Sequence, residues 1–301
     1  GRILAEGLFP HVGRKYTMAE ELRAKPNPLS LWQGNYLSGA SDIRIETATA
    51  PAGVTLTVHA KYARPGAANQ FIEGDCSLLI TPRGAIEVTY NYVPTKTTGV
   101  FLEAGISLVV PQAPEFHWIG QGPYPAYPGK DVLTEFGIHH LNREDLNFQG
   151  NRPQVEVALL STLAGSGLAL AGDHLDVAVE NTADGNVILS QNALISSRGN
   201  KGSNPEAPVN SANVKQISGK FTLLPLSSGA AWPGLLTQWF GQPSEPATAF
   251  QPFFQSYDQY GNGSMELIDR AIEGGVPLVY IAPQTTGAYW PPQRVAAVVR
   301  D

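Results

Sequence analysis

The aromatic and histidine residues of this sequence that are best suited to contact a polar ligand lie between positions 124 and 140. Tyr124 and Tyr127 stand in a proline-rich stretch, where a stiff backbone lets aromatic rings form a wall at little cost in entropy. His139 is followed directly by His140. Neighbouring residues on a strand point to opposite faces, so only one of these two histidines can face a cleft.

Arg152 adds a cationic side chain to this set. It stands before Pro153, which favours an extended backbone at the arginine. A guanidinium group at this position could hydrogen-bond the hydroxyl groups of a ligand, or it could hold the preceding loop by its backbone carbonyls. The candidate ligand contacts are therefore Tyr124, Tyr127, His139 and Arg152. The alternative is core or loop packing for the tyrosines and a structural or solvated role for His139.

Two polar segments could suggest a metal site or a hydrolytic site, but neither has the required spacing. Asp173 and His174 are metal-type ligands, yet on a strand they point to opposite faces and are poorly placed to bind one ion together. Glu144 and Asp145 are adjacent carboxylates in a predicted loop, without the framework of a paired-carboxylate site. The single cysteine, Cys76, excludes an internal disulfide and a Cys-rich metal site. We therefore predict no catalytic residue, no metal and no cofactor in this chain.

The strongest local signal is the stretch 116–131, which opens as a strand and continues as a loop. Trp118 alternates with a polar neighbour on this strand and is expected to be buried. Two glycines and three prolines then force the backbone into a rigid loop. A dinucleotide-binding fingerprint is excluded, because a proline follows the second glycine and no third glycine comes. The residues expected to hold this structure are Trp118, Gly120, Gly122, Pro123 and Asn151.

The elements that position these residues are predicted to be antiparallel strands. The chain has 301 residues, of which 43% are hydrophobic and 15% charged, with 31 Gly and 24 Pro, a composition typical of an all-β protein with many turns. Apolar and polar residues alternate over 43–46, 54–59 and 86–92, which predicts strands with one buried face. The net charge of −6 and the lack of a Lys/Arg run argue against a nucleic-acid surface, and no apolar stretch is long enough for a membrane span.

Both ends of the chain depart from this strand pattern. Thr17 to Glu20 has the form of a capping box, which predicts a short helix ending near Lys25. Residues 242–252 are proline-rich and linker-like, and a helix over 265–273 and a strand over 276–282 are predicted beyond them. We therefore divide the chain into a β-domain over 1–230 and a mixed C-terminal extension over 231–301. The start at Gly1, without Met, suggests an excised fragment or a processed chain, and the sequence does not indicate the compartment.

The stretch Trp118–Pro128 has the order W-x-G-x-G-P-x-x-x-Y-P. This order resembles the W-x-G-x-G-P-x-E-x-Y-P-D-R signature in the C-terminal domain of large bacterial β-galactosidases of glycoside hydrolase family 2. In that domain a G-N-R triplet follows the signature and opens a strand, and here Gly150-Asn151-Arg152 begins 28 positions after Gly122. The likeness covers roughly residues 10–226.

The resemblance implies a large antiparallel β-supersandwich, the fold shared with galactose mutarotases. In the family this domain packs against a catalytic barrel, which carries both catalytic glutamates, and lends residues to the rim of the galactose pocket. The expected function is therefore a non-hydrolytic domain whose partners are a galactoside-like carbohydrate and a barrel absent from this chain. The four candidate ligand contacts become candidate carbohydrate-binding residues.

The chain also departs from the family pattern at several positions of the loop. Pro125 stands where the family has Glu, Ala126 where it has Asn, and Gly129-Lys130 where it has Asp-Arg. Residues 195–213 lack the aromatic residue that reaches the sugar in the family. Two alternatives therefore stay open: a stand-alone carbohydrate-binding module, and an aldose 1-epimerase, which needs a general acid and a general base across the sugar ring.

Overall fold

The computed structural model describes residues 5–14, 40–64, 67–95, 99–111, 113, 115–129, 134–142, 150–161, 167–182, 184–197 and 209–226. The strands are β1 (Glu6–Val12), β2 (Ala40–Ala50), β3 (Gly53–Arg64), β4 (Ala67–Ile80), β5 (Ile86–Pro94), β6 (Val100–Phe101), β7 (Glu103–Val110), β8 (Glu115–Gly122), β9 (Glu135–Asn142), β10 (Arg152–Ser161), β11 (Gly167–Asn181), β12 (Val187–Ile195), β13 (Val209–Asn210) and β14 (Ile217–Leu226). Within these ranges the only helical element is a single 3-10 turn, Ser211–Asn213.

Twelve of the strands form one continuous sheet. Its main path runs β1-β7-β12-β11-β14-β5-β4-β3-β2, and β10, β8 and β9 branch from β11 in that order. Every strand pair is antiparallel, and β6 and β13 form a separate two-stranded sheet. The prediction of an all-β, antiparallel fold is confirmed.

The sheet curls around one hydrophobic core. A single cluster of buried side chains joins Val12 of β1, at one end of the strand order, to Tyr62 of β3, near the other end. Trp118 and Tyr92 are among the largest side chains in it. Because side chains alternate along a strand, the residues between core positions point to the other face of the sheet. On β7, for example, Ala104 and Ile106 belong to the core cluster, and the polar residues Glu103 and Ser107 stand at alternating positions.

The predicted alternation of buried and exposed residues is right for β5 and wrong for β2. Every second residue of β5 is buried from Val88 to Pro94. In contrast, β2 is exposed along its whole length, including Ile43 (54% exposed) and Ile45 (62%). β2 ends the main strand path and pairs with β3 alone among the described strands. An alternating pattern specifies a two-sided strand, but it does not say whether anything covers the apolar side.

The chain divides into two compact units, Gly1–Leu235 and Leu236–Asp301, and all described residues lie in the first. The predicted helix at 17–25 and the mixed C-terminal extension lie outside the described residues, so these predictions and the boundary at 230 stay predictions. No helix in the described ranges has the length and apolar character needed to cross a membrane.

Candidate functional site

Trp118 is the centre of the predicted structural motif, and its burial is confirmed. Its side chain is 0% exposed, and its indole Nε1 donates a hydrogen bond to the carbonyl oxygen of Gln121 (3.0 Å). The ring stacks on Phe116, with 4.9 Å between centroids. The guanidinium of Arg152 lies 5.0 Å from the Trp118 ring centroid, and the His139 ring lies at the same distance. The tryptophan therefore packs between the core and the turn that follows its own strand.

The glycines of the motif are needed because other groups lie where their side chains would be. A Cβ added to Gly122 would lie 2.7 Å from Cζ2 of Trp118 and 2.6 Å from Cδ2 of His139. A Cβ on Gly120 would lie 2.8 Å from a backbone atom of β10. The Gly122–Pro123 peptide bond is cis. Gly120 and Gly122 thus let β8 pass close to its neighbours, as expected for residues with a structural role.

Asn151 holds the proline-rich loop 123–129. The loop residue Ala126 donates its backbone N–H to the carbonyl oxygen of Asn151 (2.9 Å). In return, Nδ2 of Asn151 donates to the carbonyl oxygen of Ala126 (2.9 Å). Arg152 donates instead to the carbonyl oxygen of Gly150, beside its own strand. Asn151 is 0% exposed, so its reciprocal bonds with Ala126 fix the loop from within the protein.

A chain of buried hydrogen bonds extends from Asn151 across the sheet. Asn151 Nδ2 also donates to Oδ1 of Asp176 on β11 (3.1 Å). Nδ2 of Asn192 on β12 donates to Oδ1 of Asn151 (3.1 Å) and to Oε2 of Glu103 on β7 (3.2 Å). Both of these oxygens accept, so they fix the nitrogen end of the Asn192 side-chain amide. Oδ1 of Asn192 therefore faces the remaining neighbour.

That neighbour is His11 on β1. Its Nε2 lies 2.7 Å from Oδ1 of Asn192 and must donate, while its Nδ1 lies 2.9 Å from the hydroxyl of Ser107 and accepts. Ser107 in turn lies 2.6 Å from the hydroxyl of Ser190. Burial lowers the pKa of His11 to about 4, so the neutral ring with its proton on Nε2 fits both contacts. We call His11, Glu103, Ser107, Asn151, Asp176, Ser190 and Asn192 the buried network.

Glu103 is the carboxylate of this network with the most perturbed environment. It is 3% exposed, and its Oε1 lies 3.3 Å from Nε of Arg14. Burial raises the pKa of Glu103 to about 7, an effect larger than the opposing influence of Arg14 and Asn192. The Arg14 guanidinium also lies 5.2 Å from the centroid of the Tyr127 ring. Loop 123–129 and the buried network therefore meet at Tyr127, Arg14 and Asn151.

The structure places two of the four predicted ligand contacts, Arg152 and His139, against Trp118. Arg152 and Tyr127 are 4% and 3% exposed, and burial lowers the pKa of Arg152 to about 10, with Tyr127 acting in the opposite direction. His139 is partly buried against Trp118, and Tyr124 is partly exposed in loop 123–129. Contact of any of these four residues with a carbohydrate stays a prediction.

Sequence reasoning missed five residues that come together here: His11, Arg14, Glu103, Asn192 and Asp176. Four of them lie on β1, β7, β12 and β11, and Arg14 follows the end of β1. No local pattern connects them, since β1 pairs with β7 and β7 with β12 across long stretches of sequence, and only β11 and β12 are consecutive. The one usable signal was Glu103, a carboxylate that opens the largely apolar strand β7. A charge at such a position is rarely buried unless it is paired.

The argument against joint metal ligation by Asp173 and His174 is wrong. His174 has φ of 48°, in the left-handed region, so β11 is not a regular strand there and its side chains do not alternate. Nδ1 of His174 lies 3.0 Å from Oε1 of Glu156, and its Nε2 lies 3.7 Å from Oδ1 of Asp173.

The expectation that His139 and His140 point to opposite faces is right, since His139 packs on Trp118 and His140 lies against His117.

Comparison with known proteins gives no family model and no curated protein that matches this chain. Among solved structures, a galactose mutarotase related enzyme from Lactobacillus acidophilus is 12% identical, with a TM-score of 0.37, over 62% of this chain and 72% of that one. A protein provisionally assigned as an aldose 1-epimerase, from Escherichia coli K12, is 11% identical, with a TM-score of 0.38, over 72% of this chain and 82% of that one. At such values neither likeness carries a functional argument.

Proposed function

We propose that this chain is a carbohydrate-contacting, non-hydrolytic β-domain that completes a sugar site together with a catalytic barrel, in the manner of the C-terminal domain of family 2 β-galactosidases. The observation that carries the proposal is the reciprocal pair of hydrogen bonds between Asn151 and Ala126. These bonds join the two sequence motifs on which the resemblance depends, W-x-G-x-G-P and G-N-R, in one structural unit.

The unit is suited to present a fixed wall to a sugar. Loop 123–129 is held at its middle by Asn151, and Trp118, on the strand that enters the loop, donates to the carbonyl oxygen of Gln121. Tyr124 is partly exposed in this loop, and an aromatic ring in a fixed position can stack on the apolar face of a pyranose. Because the loop is held in place before binding, little conformational entropy is lost on contact with a ligand.

Titration of the whole chain with galactose and methyl β-galactoside, followed by calorimetry, tests this proposal. We expect weak binding that is lost in Tyr124→Ala. The matched control is Phe136→Ala, which removes an aromatic side chain that is 54% exposed on β9. Absence of galactoside binding, or equal binding by both variants, would contradict a sugar contact at loop 123–129.

Hydrolysis is a separate question, because retaining hydrolysis needs two carboxyl groups about 5–5.5 Å apart, one as nucleophile and one as acid. The all-β fold provides no βα barrel in the described residues to present them. We expect no release of nitrophenol from nitrophenyl β-galactoside above the background of a galactosidase whose catalytic glutamate has been replaced. Turnover above this background, abolished by substitution of Glu135 or Glu144, would overturn the proposal.

One observation favours the alternative of an aldose 1-epimerase. Burial raises the pKa of the Glu103 carboxyl to about 7, and Asn192 connects it to His11, so a carboxyl and a histidine, the residue types that acid–base chemistry on a sugar needs, lie in one hydrogen-bonded network. Polarimetry with freshly dissolved α-galactose distinguishes this activity from binding alone. Accelerated mutarotation that is lost in Glu103→Gln would establish the epimerase, while an uncatalysed rate would exclude it.

A further inference from the structure

Three side chains that can bind a metal meet on β8 and β9, outside the buried network. Glu115 and His117 are two residues apart on β8, so both point to the face opposite Trp118. The register of β8 and β9 places His140 directly across from His117. One donor atom from each of the three residues lies within 4.8 Å of the other two.

The spacing of these atoms is close to that of ligands on one small cation. Nε2 of His117 lies 3.2 Å from Oε2 of Glu115, and the centroids of the two imidazole rings are 4.6 Å apart. Zinc binds nitrogen and carboxylate oxygen at about 2.0–2.2 Å in tetrahedral geometry, which puts two ligand atoms roughly 3.3 Å apart. The Glu115–His117 pair already has this spacing, and the exposed His140 offers a third donor atom within 4.8 Å of the other two.

A neighbouring strand supplies an outer hydrogen bond to the cluster. Ser161 on β10 pairs in register with Glu115, and its hydroxyl donates to Oε2 of Glu115 (3.3 Å). Such a bond orients a carboxylate that binds a metal. The His117 and Glu115 side chains are 17% and 43% exposed, so the cluster is backed by the sheet and open to solvent on one side.

Two other histidine clusters show what distinguishes this one. The ring of His59 engages Asp75 through Nδ1 (2.9 Å) and Glu73 through Nε2 (3.4 Å), so the two carboxylates lie on different sides of the ring and do not converge. The donor atoms of Glu156, Asp173 and His174 do converge. That group, however, has one imidazole, and the Asp173 and His174 side chains are 93% and 68% exposed. Zinc favours the set with two imidazoles on adjacent strands.

We propose that Glu115, His117 and His140 form a binding site for Zn²⁺. Two imidazoles and one carboxylate are a set of protein ligands that zinc accepts, and three protein ligands leave a fourth position for water or a bound molecule. The site connects β8 to β9, which pairs with β8 alone among the described strands. It does not depend on the proposed sugar contact, since Tyr124 and the buried network contribute no ligand to it.

The test is a calorimetric titration of the whole chain with Zn²⁺ after treatment with a chelator, with the melting temperature followed in parallel. We expect one equivalent to bind and to raise the melting temperature, because the ion binds the folded state. His140→Ala, at an exposed position, is expected to weaken binding by at least about 100-fold. Ser161→Ala is expected to weaken it less, by about 10-fold, as is typical of groups that orient a ligand.

His174→Ala is the matched control, because it removes the one imidazole of the other convergent cluster. Unchanged Zn²⁺ affinity in His174→Ala, with loss in both His140→Ala and Glu115→Gln, supports the site. Co²⁺ provides a second readout, since four-coordinate Co²⁺ absorbs strongly in the visible region and this absorption should vanish in His140→Ala. Absence of Zn²⁺ binding, binding unaffected by His140→Ala, or binding lost in His174→Ala would overturn the proposal.

Discussion

The buried network and the Glu115–His117–His140 cluster use similar side chains in opposite ways. In the network, Asn151 and Asn192 each use both amide hydrogens on acceptors inside the protein, and both residues are at most 3% exposed. In the cluster, three donor atoms point toward one another and the side chains remain partly open to solvent. The first arrangement is complete without a ligand, and the second has room for one.

This difference has a physical cause. A polar group that is taken out of water must find a protein partner, and each partner fixes the backbone segment that carries it. The network therefore ties β1, β7, β11, β12 and loop 123–129 to one another. Partly exposed groups keep their hydration and can exchange it for an ion. Substitutions in the network and its support should therefore change stability, and substitutions in the cluster should change metal affinity.

The largest effect is expected from Trp118→Ala, which removes the support of the loop that the network holds. Loss of a buried tryptophan typically costs about 3–5 kcal/mol in the free energy of unfolding. The indole also donates to Gln121 and carries Arg152 on its face. Chemical denaturation measures the effect, with Ile138→Ala (48% exposed) as the control. An unchanged free energy of unfolding in Trp118→Ala, and an unchanged melting temperature, would show that this ring does not stabilise the structure.

The pH dependence of stability separates two groups of the network, because their pKa shifts have opposite consequences. The pKa of Glu103 is raised from 4.5 to about 7, so its contribution to stability is complete below pH 4.5 and is lost as the pH rises to 7. The pKa of His11 is lowered from 6.5 to about 4, so its contribution is complete above pH 6.5 and is lost as the pH falls to 4. Each contribution is of the order of 3 kcal/mol, since one pKa unit corresponds to about 1.4 kcal/mol.

Between pH 4.5 and 6.5 the Glu103 contribution falls while the His11 contribution rises, so the two changes offset each other and single substitutions should reveal each one. Relative to the unsubstituted chain, Glu103→Gln should gain stability as the pH rises through this window, and His11→Gln should lose it. Denaturant unfolding at several pH values measures both differences. If the free energy of unfolding of the three proteins changed with pH in the same way, neither Glu103 nor His11 would have the pKa shift described.

Asn151→Ala should have a smaller effect of about 2 kcal/mol. It leaves the carbonyl of Ala126, the carboxyl of Asp176 and one amide hydrogen of Asn192 without their partner. A buried polar group without a partner costs about 1–3 kcal/mol in the free energy of unfolding. Local movement of the loop will give some of the three groups new partners and so reduce the total cost. Asn91→Ala, at an exposed position on β5, is the control and should stay within about 0.5 kcal/mol of the unsubstituted chain. Equal stability of the two variants would contradict the role of Asn151.

The sequence predicted the fold class and the local support of the loop because both depend on short-range patterns. Alternation of period two identified β3 and β5, and the position of Trp118 beside the polar residue His117 identified its burial. Glycine and proline spacing identified the turn after β8. These signals need only a few consecutive residues, so they can be read without knowing how distant strands pair.

The sites could not be predicted in the same way, because they depend on strand pairing and on one irregular residue. Asn192 meets Asn151 across 41 positions of sequence, and Glu103 across 89. His140 meets His117 only through the register of β8 and β9. At His174, a positive φ overturned an argument that assumed a regular strand. Pairing, register and bulges are settled by the packing of the whole sheet, and no local pattern specifies them.

His140→Ala is expected to have the smallest effect on stability, and it sharpens the comparison most. The residue is exposed, so in the presence of a chelator its removal should change the free energy of unfolding by less than about 0.5 kcal/mol. With Zn²⁺ added, the unsubstituted chain should become more stable and the variant should not, because stabilisation by a ligand requires that the ligand binds the folded state. Asn151→Ala should behave in the reverse manner, being less stable in the chelator while keeping its full response to Zn²⁺. If His140→Ala were already destabilised by 2 kcal/mol or more without metal, the cluster would be a second structural network, and the distinction between the two regions would fail.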